Sequence, residues 1–111
     1  MTEYNAILEK SRRFAVRIVK LYQYLDKTKV PRALSDQILR SGTSIGANAA
    51  EAHLAPSSTD FYCKLGISLK EAKETEYYLY TIHYTLYIVL YTLFIIHYTL
   101  YINNYRLWQN Q

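Results

Sequence analysis

The first quarter of the chain alternates apolar and charged positions with the period of an α-helix. From residue 5 to about residue 26, apolar side chains recur three or four positions apart, which places them on one face of a helix. Basic side chains fall on the opposite face. This pattern predicts a first helix with one face in a core and the other in solvent. The apolar positions are Ile7, Leu8, Phe14, Ala15, Ile18, Leu21, Tyr22 and Leu25.

A break and a second helix follow. Val30 precedes a proline, and a residue in that position avoids helical backbone angles. Ser35 can cap a new helix by accepting hydrogen bonds from the amides just downstream, so we expect a helix over about 36–53. Gly42 and Gly46 lie inside it, and each costs about 1 kcal/mol relative to alanine, which close packing must offset. The apolar face consists of Ile38, Ile45, Ala49 and Ala52.

A third helix is predicted after Pro56, which stops the second. Ser57 with Asp60 three residues later resembles a capping box in which Asp replaces the usual Glu. The helical pattern then continues to about Tyr80. Ser68 and Glu76 fall on the apolar stripe of this helix. A carboxylate there needs a partner because an unpaired buried charge is costly. The stripe consists of Phe61, Leu65, Leu69, Ala72 and Leu79.

The remaining sequence carries a seven-residue repeat without charges. It reads IHYTLYI at 82–88, VLYTLFI at 89–95 and IHYTLYI again at 96–102, and no Asp, Glu, Lys or Arg lies between Glu76 and Arg106. A helix here would be apolar nearly all round, whereas Tyr, Thr, Ile, Val and Phe also favour a strand. A membrane span needs about 20 apolar residues. The Thr and His side chains argue against a span, while the missing charges keep it open.

Length and composition limit the classes of protein to which the chain can belong. The 111 residues fit one domain over 1–111 with a modest core, and a 50% hydrophobic content with three Gly and two Pro argues against disorder and a loop-rich fold. Cys63 is the one cysteine, so neither an intrachain disulfide nor a C-x-x-C metal pattern exists. The N-terminal sequence lacks the apolar core of a signal peptide. We therefore expect an all-α cytoplasmic protein.

Charge is distributed unevenly along the chain. Residues 1–40 hold nine Lys or Arg against four Asp or Glu, a net charge of +5, whereas residues 41–80 carry a net charge of −2. Clustered cations neutralise phosphates without strict geometry, although an ordinary solvated face has the same pattern. No base-reading motif is present, so binding would depend on salt and weakly on sequence. The candidate nucleic-acid-binding residues are Lys10, Arg13, Arg17, Lys20 and Lys27.

One polar residue per turn lies along the second predicted helix, at Arg40, Ser44, Asn48 and Glu51. An active site would need a base beside Ser44, and no histidine lies three or four positions away. A metal site would need clustered carboxylates or imidazoles, and the three histidines are isolated in the sequence. We expect no catalytic residue, metal or cofactor here. We predict instead a structural polar network, in which Glu76 is the natural partner of Arg40.

Two segments carry a resemblance to a known family. LSDQILRSGTSIGANAAEA at 34–52 and SSTDFYCKLGISLKEAKETEYYL at 57–79, and more weakly IHYTLYI at 82–88, resemble the bacterial four helix bundle proteins. That family includes proteins encoded by intervening sequences within 23S ribosomal RNA genes. It also includes the accessory variability determinant of diversity-generating retroelements. The resemblance spans about residues 5–88.

The resemblance implies an antiparallel, up-and-down four-helix bundle that assembles as a homopentamer and is not an enzyme. It implies RNA or DNA and a reverse transcriptase as partners, and no small-molecule substrate. The sequence departs from the family pattern from about residue 89, because the repeat tail at 82–105 replaces the usual charged fourth helix, expected over about 83–107. Two alternatives remain, a purely structural self-assembling protein and a membrane-anchored bundle, and a membrane is the least favoured partner.

Overall fold

The computed structural model describes residues 2–110, apart from the side chains at positions 2, 104, 107 and 108. It has three helices, α1 (Thr2–Leu25), α2 (Arg32–Ala52) and α3 (Ser58–Gln109), and no strand in the described part of the chain. The prediction of an all-α fold is confirmed. The chain divides into two compact units, Met1–Tyr80 and Thr81–Gln111, which are described separately.

The turn between α1 and α2 is closed by its own polar groups. The hydroxyl of Thr28 donates to the carbonyl of Leu25 at 2.7 Å, and the carbonyl of Pro31 accepts from the amide of Ser35 at 3.2 Å. Pro31 is the N-cap of α2 and provides no side-chain hydrogen bond. The prediction that Ser35 caps the helix is therefore wrong. Pro31 takes the N-cap position, where its missing amide leaves no donor unsatisfied, so α2 begins earlier and Ser35 lies buried inside it.

Close packing of α1 against α2 explains the two glycines in α2. A Cβ atom on Gly42 would lie 2.7 Å from Cγ1 of Ile18, and a Cβ on Gly46 would lie 3.1 Å from Oγ of Ser11. Ile18 is only 2% exposed. The absence of a side chain at Gly42 lets α1 approach closely, and the buried contacts offset the helix cost of glycine.

Two polar residues of α1 that the apolar pattern did not include are also buried. The Tyr4 hydroxyl donates to the carbonyl of Ala49 at 2.6 Å, and its ring meets Phe61 edge-on. Ser11 is buried beside α2, whereas Ile7, expected on the core face, is exposed. The buried face of α1 thus includes Tyr4 and Ser11 as well as Ile18 and Leu25.

The first part of α3 packs antiparallel to α2 through polar contacts. The capping box is confirmed, since the amide of Asp60 donates to Oγ of Ser57 at 3.1 Å. Thr75 and Ser68 are buried, whereas Leu69, on the predicted stripe, is 62% exposed. Ser68 donates to the carbonyl of Ile45 at 2.7 Å. The hydroxyl of Thr75 donates to that of Ser41 at 2.9 Å.

The predicted fourth helix is not a separate element. Residues 83–107 continue α3 without a break, so the count of four antiparallel helices is not confirmed and the strand alternative is wrong. The sequence has no glycine after Gly66 and no proline after Pro56 to end the helix. In the unit Thr81–Gln111, Ile82 is buried, and every residue from 87 to 101 is exposed.

Candidate functional site

The basic face of α1 consists of Lys10, Arg13, Arg17 and Lys20, all of which are exposed. The opposite side of the helix is held in the core by Ile18 and by other buried residues, so the cations have to face solvent. Ten residues of helix separate Lys10 from Lys20, which is about 15 Å along the axis. The structure therefore gathers four of the five predicted cations on one surface.

Lys27 does not share that helix, because α1 ends at Leu25 and Lys27 lies in the following turn. Arg12, which is not among the predicted cations, is exposed beside Arg13. Nη2 of Arg13 forms an ion pair with Oε1 of Glu9 at 2.6 Å, and both side chains are largely exposed. The positive charge of Arg13 is thus partly offset by its own helix.

Arg17 and Lys20 are two neighbouring cations of the face. Within residues 2–110, neither forms an ion pair with an acidic side chain. Both side chains are exposed, so a phosphate could approach either without displacing a protein partner. They lie three positions apart on the helix and point to the same side.

Arg40 bridges α2 to α3. Its Nη1 lies 3.2 Å from Oε2 of Glu71, and its Nη2 pairs with Oε1 of Glu74. The hydrogen bond to Glu74 raises the pKa of Arg40 above its already high ordinary value. The predicted partner Glu76 instead lies 3.7 Å from Lys73. The physical reason is rotation, since Glu76 is about 140° round the helix from Glu71.

The other residues of the predicted polar network divide into two kinds. The hydroxyl of Ser44 donates to the carbonyl of Arg40 at 2.6 Å, and the amide of Asn48 donates to the carbonyl of Ser44 at 2.9 Å, so both stay on their own helix. Glu51 reaches α3 through an ion pair of 2.7 Å with Lys64. The stripe therefore supplies three interhelical ion pairs, two from Arg40 near one end and one from Glu51 near the other, rather than one continuous network.

The polar seam between α2 and α3 combines these ion pairs with the buried hydroxyl contacts described above. The hydroxyl of Tyr78 extends it by donating to Oε1 of Glu74 at 3.2 Å. Partial burial and that hydrogen bond raise the pKa of Tyr78. These contacts fix the register of the two helices.

Groups that could perform chemistry are dispersed in the described part of the chain. Residues 2–110 contain no cluster of three or more His, Cys, Asp or Glu side chains that could hold a metal ion. Cys63 is a free, exposed thiol. The hydroxyl of Ser44 is bonded to a backbone carbonyl, so the site beside it has no arrangement of nucleophile and base.

An open apolar groove in the unit Met1–Tyr80 was not foreseen from the sequence. Side chains of all three helices line it, with Lys10 and Glu76 supplying the charged groups. Lys10 thus borders both this groove and the basic face. Its apolar lining includes Ile7, Phe14, Ile45, Ala72 and Leu79.

The chain is similar to a solved structure and matches the model of one protein family. A solved structure, described as a protein with unknown function from the S23 ribosomal protein family of Bacteroides thetaiotaomicron VPI-5482, is 54% identical in sequence. Its TM-score is 0.72, and the match covers 76% of this chain and 75% of that chain. A search of curated proteins gives no match. The family model for 23S rRNA-intervening sequence proteins matches residues 3–96. The chain therefore belongs to the 23S rRNA-intervening sequence protein family.

Proposed function

We propose that this chain is a non-enzymatic, self-associating helical protein that binds RNA or DNA through the basic face of α1. The observation that carries the proposal is the exposure of Arg17 and Lys20, which have no acidic partner among the described residues. A helix whose other face is buried presents these cations to solvent along one side. Such a row suits a phosphate backbone, which repeats along its strand.

The expected binding is electrostatic. Each phosphate neutralised releases condensed counterions, so the logarithm of affinity falls linearly with the logarithm of salt concentration. Base-edge recognition would require side chains placed in a groove or stacked on unpaired bases, and the basic face offers long flexible cations. We therefore expect binding that discriminates weakly between sequences.

Family membership guides the choice of nucleic acid. The family is described by its relation to an intervening sequence of 23S rRNA, so structured RNA from such a sequence is the first ligand to test. A role as an accessory of that element or of a retroelement, with a reverse transcriptase as protein partner and a homopentamer as the assembly, belongs to the same proposal. It rests on the sequence resemblance.

The test compares two double variants with the same change in charge. Arg17→Ala with Lys20→Ala removes the two cations of the basic face, and Lys70→Ala with Lys73→Ala removes two exposed cations from α3. Binding of a labelled structured RNA is measured by fluorescence anisotropy over a series of salt concentrations. We expect the first variant to bind about tenfold more weakly at low salt and to lose about two units of salt slope.

The control variant should bind almost as tightly as the wild-type chain. An equal loss in both variants would mean that net charge, rather than the face of α1, governs binding. Binding that does not respond to salt would contradict the phosphate mechanism. A discrete oligomer that ignores RNA at every salt concentration would favour the alternative of a purely structural assembly.

A further inference from the structure

The repeat segment, residues 82–102 of α3, has no charged side chain. Its first residues are covered by protein, since Ile82 is buried and Thr85 and Leu86 are half-buried, and the cover ends at residue 87. Every side chain from 87 to 101 is exposed, including Leu90 at 67%, Phe94 at 64% and Leu93 at 57%. Among the described residues, α3 is the one helix long and apolar enough to cross a membrane. We propose that the repeat segment inserts into a lipid bilayer and anchors the protein there.

The length of the repeat segment fits a bilayer. Residues 82–102 rise about 31 Å along a helix axis, of which the fully exposed part, 87–101, accounts for about 22 Å. The hydrocarbon core of a bilayer is about 30 Å thick. The segment lies within one unbroken helix, so its backbone amides and carbonyls bond to each other. Tyrosines at positions 77, 78 and 80 precede it and Tyr105 follows it, where aromatic side chains favour the membrane interface.

The structure reduces the objection that the repeats contain polar residues at two of the three threonines. The hydroxyl of Thr85 donates to the carbonyl of Thr81 at 2.8 Å, and that of Thr99 donates to the carbonyl of Ile95 at 2.8 Å. A hydroxyl bonded inside its own helix needs no water, so the cost of placing it in hydrocarbon is reduced. His83 lies at one end of the segment, close to where lipid headgroups would be, whereas His97 lies five positions inside the other end.

A bilayer explains the all-round apolar surface better than a second protein chain does. A helix packed on a protein neighbour keeps a polar face toward water, as α1 does with its separate apolar and basic faces. A helix lying in the membrane interface also needs a strongly charged face. The repeat segment has neither, and hydrocarbon is the environment that contacts every side of a helix.

Flotation of the full chain with vesicles tests the proposal. The protein is reconstituted from mild detergent into vesicles of phosphatidylcholine and floated at high salt. Neutral lipid and salt together suppress attraction by the basic face of α1. We expect the wild-type chain to float and to remain with the lipid after an alkaline carbonate wash.

Two variants locate the inserted part. Leu93→Arg places a charge near the middle of the repeat segment and should lower partitioning into lipid about a hundredfold. Leu54→Arg makes the same exchange at a residue that is 82% exposed outside the segment, and it should float like the wild-type chain. Wild-type protein that stays in solution as a discrete oligomer without detergent would overturn the proposal and assign the segment to a second copy. Equal loss of flotation in Leu93→Arg and Leu54→Arg would also overturn the proposal. So would release of the wild-type chain from the lipid by the carbonate wash.

Discussion

Gly42 is the position where one added methyl group tests the packing of α1 on α2. In Gly42→Ala, the new Cβ would lie 2.7 Å from Cγ1 and 2.9 Å from Cγ2 of Ile18. Carbon atoms in favourable contact are about 3.5–4.0 Å apart. Ile18 is branched at Cβ and 2% exposed, so it has little freedom to turn away. Either this side chain or a helix has to move by about 1 Å to restore ordinary contact.

The expected effect combines two opposing terms. Overpacking a buried contact costs about 1–3 kcal/mol, while alanine in place of glycine inside a helix gains about 1 kcal/mol. Gly66→Ala is the matched control, because it lies in α3 with no atom within 4 Å of the new Cβ. This control gains the helix term alone. The two variants should therefore differ in unfolding free energy by about 1–3 kcal/mol, with Gly42→Ala less stable.

Chemical denaturation measures this difference. Both variants and the wild-type chain are unfolded in urea at one protein concentration and in one buffer, and helix content is followed by circular dichroism. Equal midpoints for Gly42→Ala and Gly66→Ala, at equal slopes, would refute the close approach of Ile18 to Gly42. A change in slope for one variant alone would indicate that the surface area exposed when it unfolds had changed.

Two further substitutions probe the polar contacts of the unit Met1–Tyr80. Tyr4→Phe leaves the carbonyl of Ala49 without its buried donor and should cost about 1–2 kcal/mol in urea unfolding; an unchanged midpoint would contradict that hydrogen bond. Arg40→Ala removes both ion pairs to α3, but its side chain is 46% exposed, so solvent screening limits the loss to about 1 kcal/mol. That loss should shrink as salt is added, and a loss independent of salt would argue against an electrostatic origin.

Local sequence patterns predicted the features that depend on neighbouring residues. The helical period predicted α1 and the solvent-facing position of its cations, and the Ser57–Asp60 capping box predicted the start of α3. Both depend on side chains within one or two turns. The basic face could therefore be proposed from sequence, except for Lys27, which lies past the end of its helix.

Features set by the rotation of one helix against another could not be predicted in this way. Glu71 and Glu74, rather than Glu76, meet Arg40 because α3 presents a polar face to α2. Thr75, which was not on the predicted stripe, is buried on that face, while the larger Leu69 is exposed. Hydrophobicity ranks the leucine first, but short hydroxyl side chains let two helices come close and hydrogen-bond. The continuation of α3 through the repeats could not be predicted either, because the residues of the repeats suit a strand as well as a helix.

The two proposals use separate parts of the chain and can fail separately. The basic face of α1 lies in the unit Met1–Tyr80, and the repeat segment lies in the unit Thr81–Gln111. Removing two cations from α1 changes no residue that would contact hydrocarbon, and a charge at Leu93 leaves every cation of α1 in place. If Leu93→Arg lost RNA binding, the result would therefore mean that the bilayer or an assembly organises the basic face. Retained binding would make phosphate recognition a property of the helical unit itself.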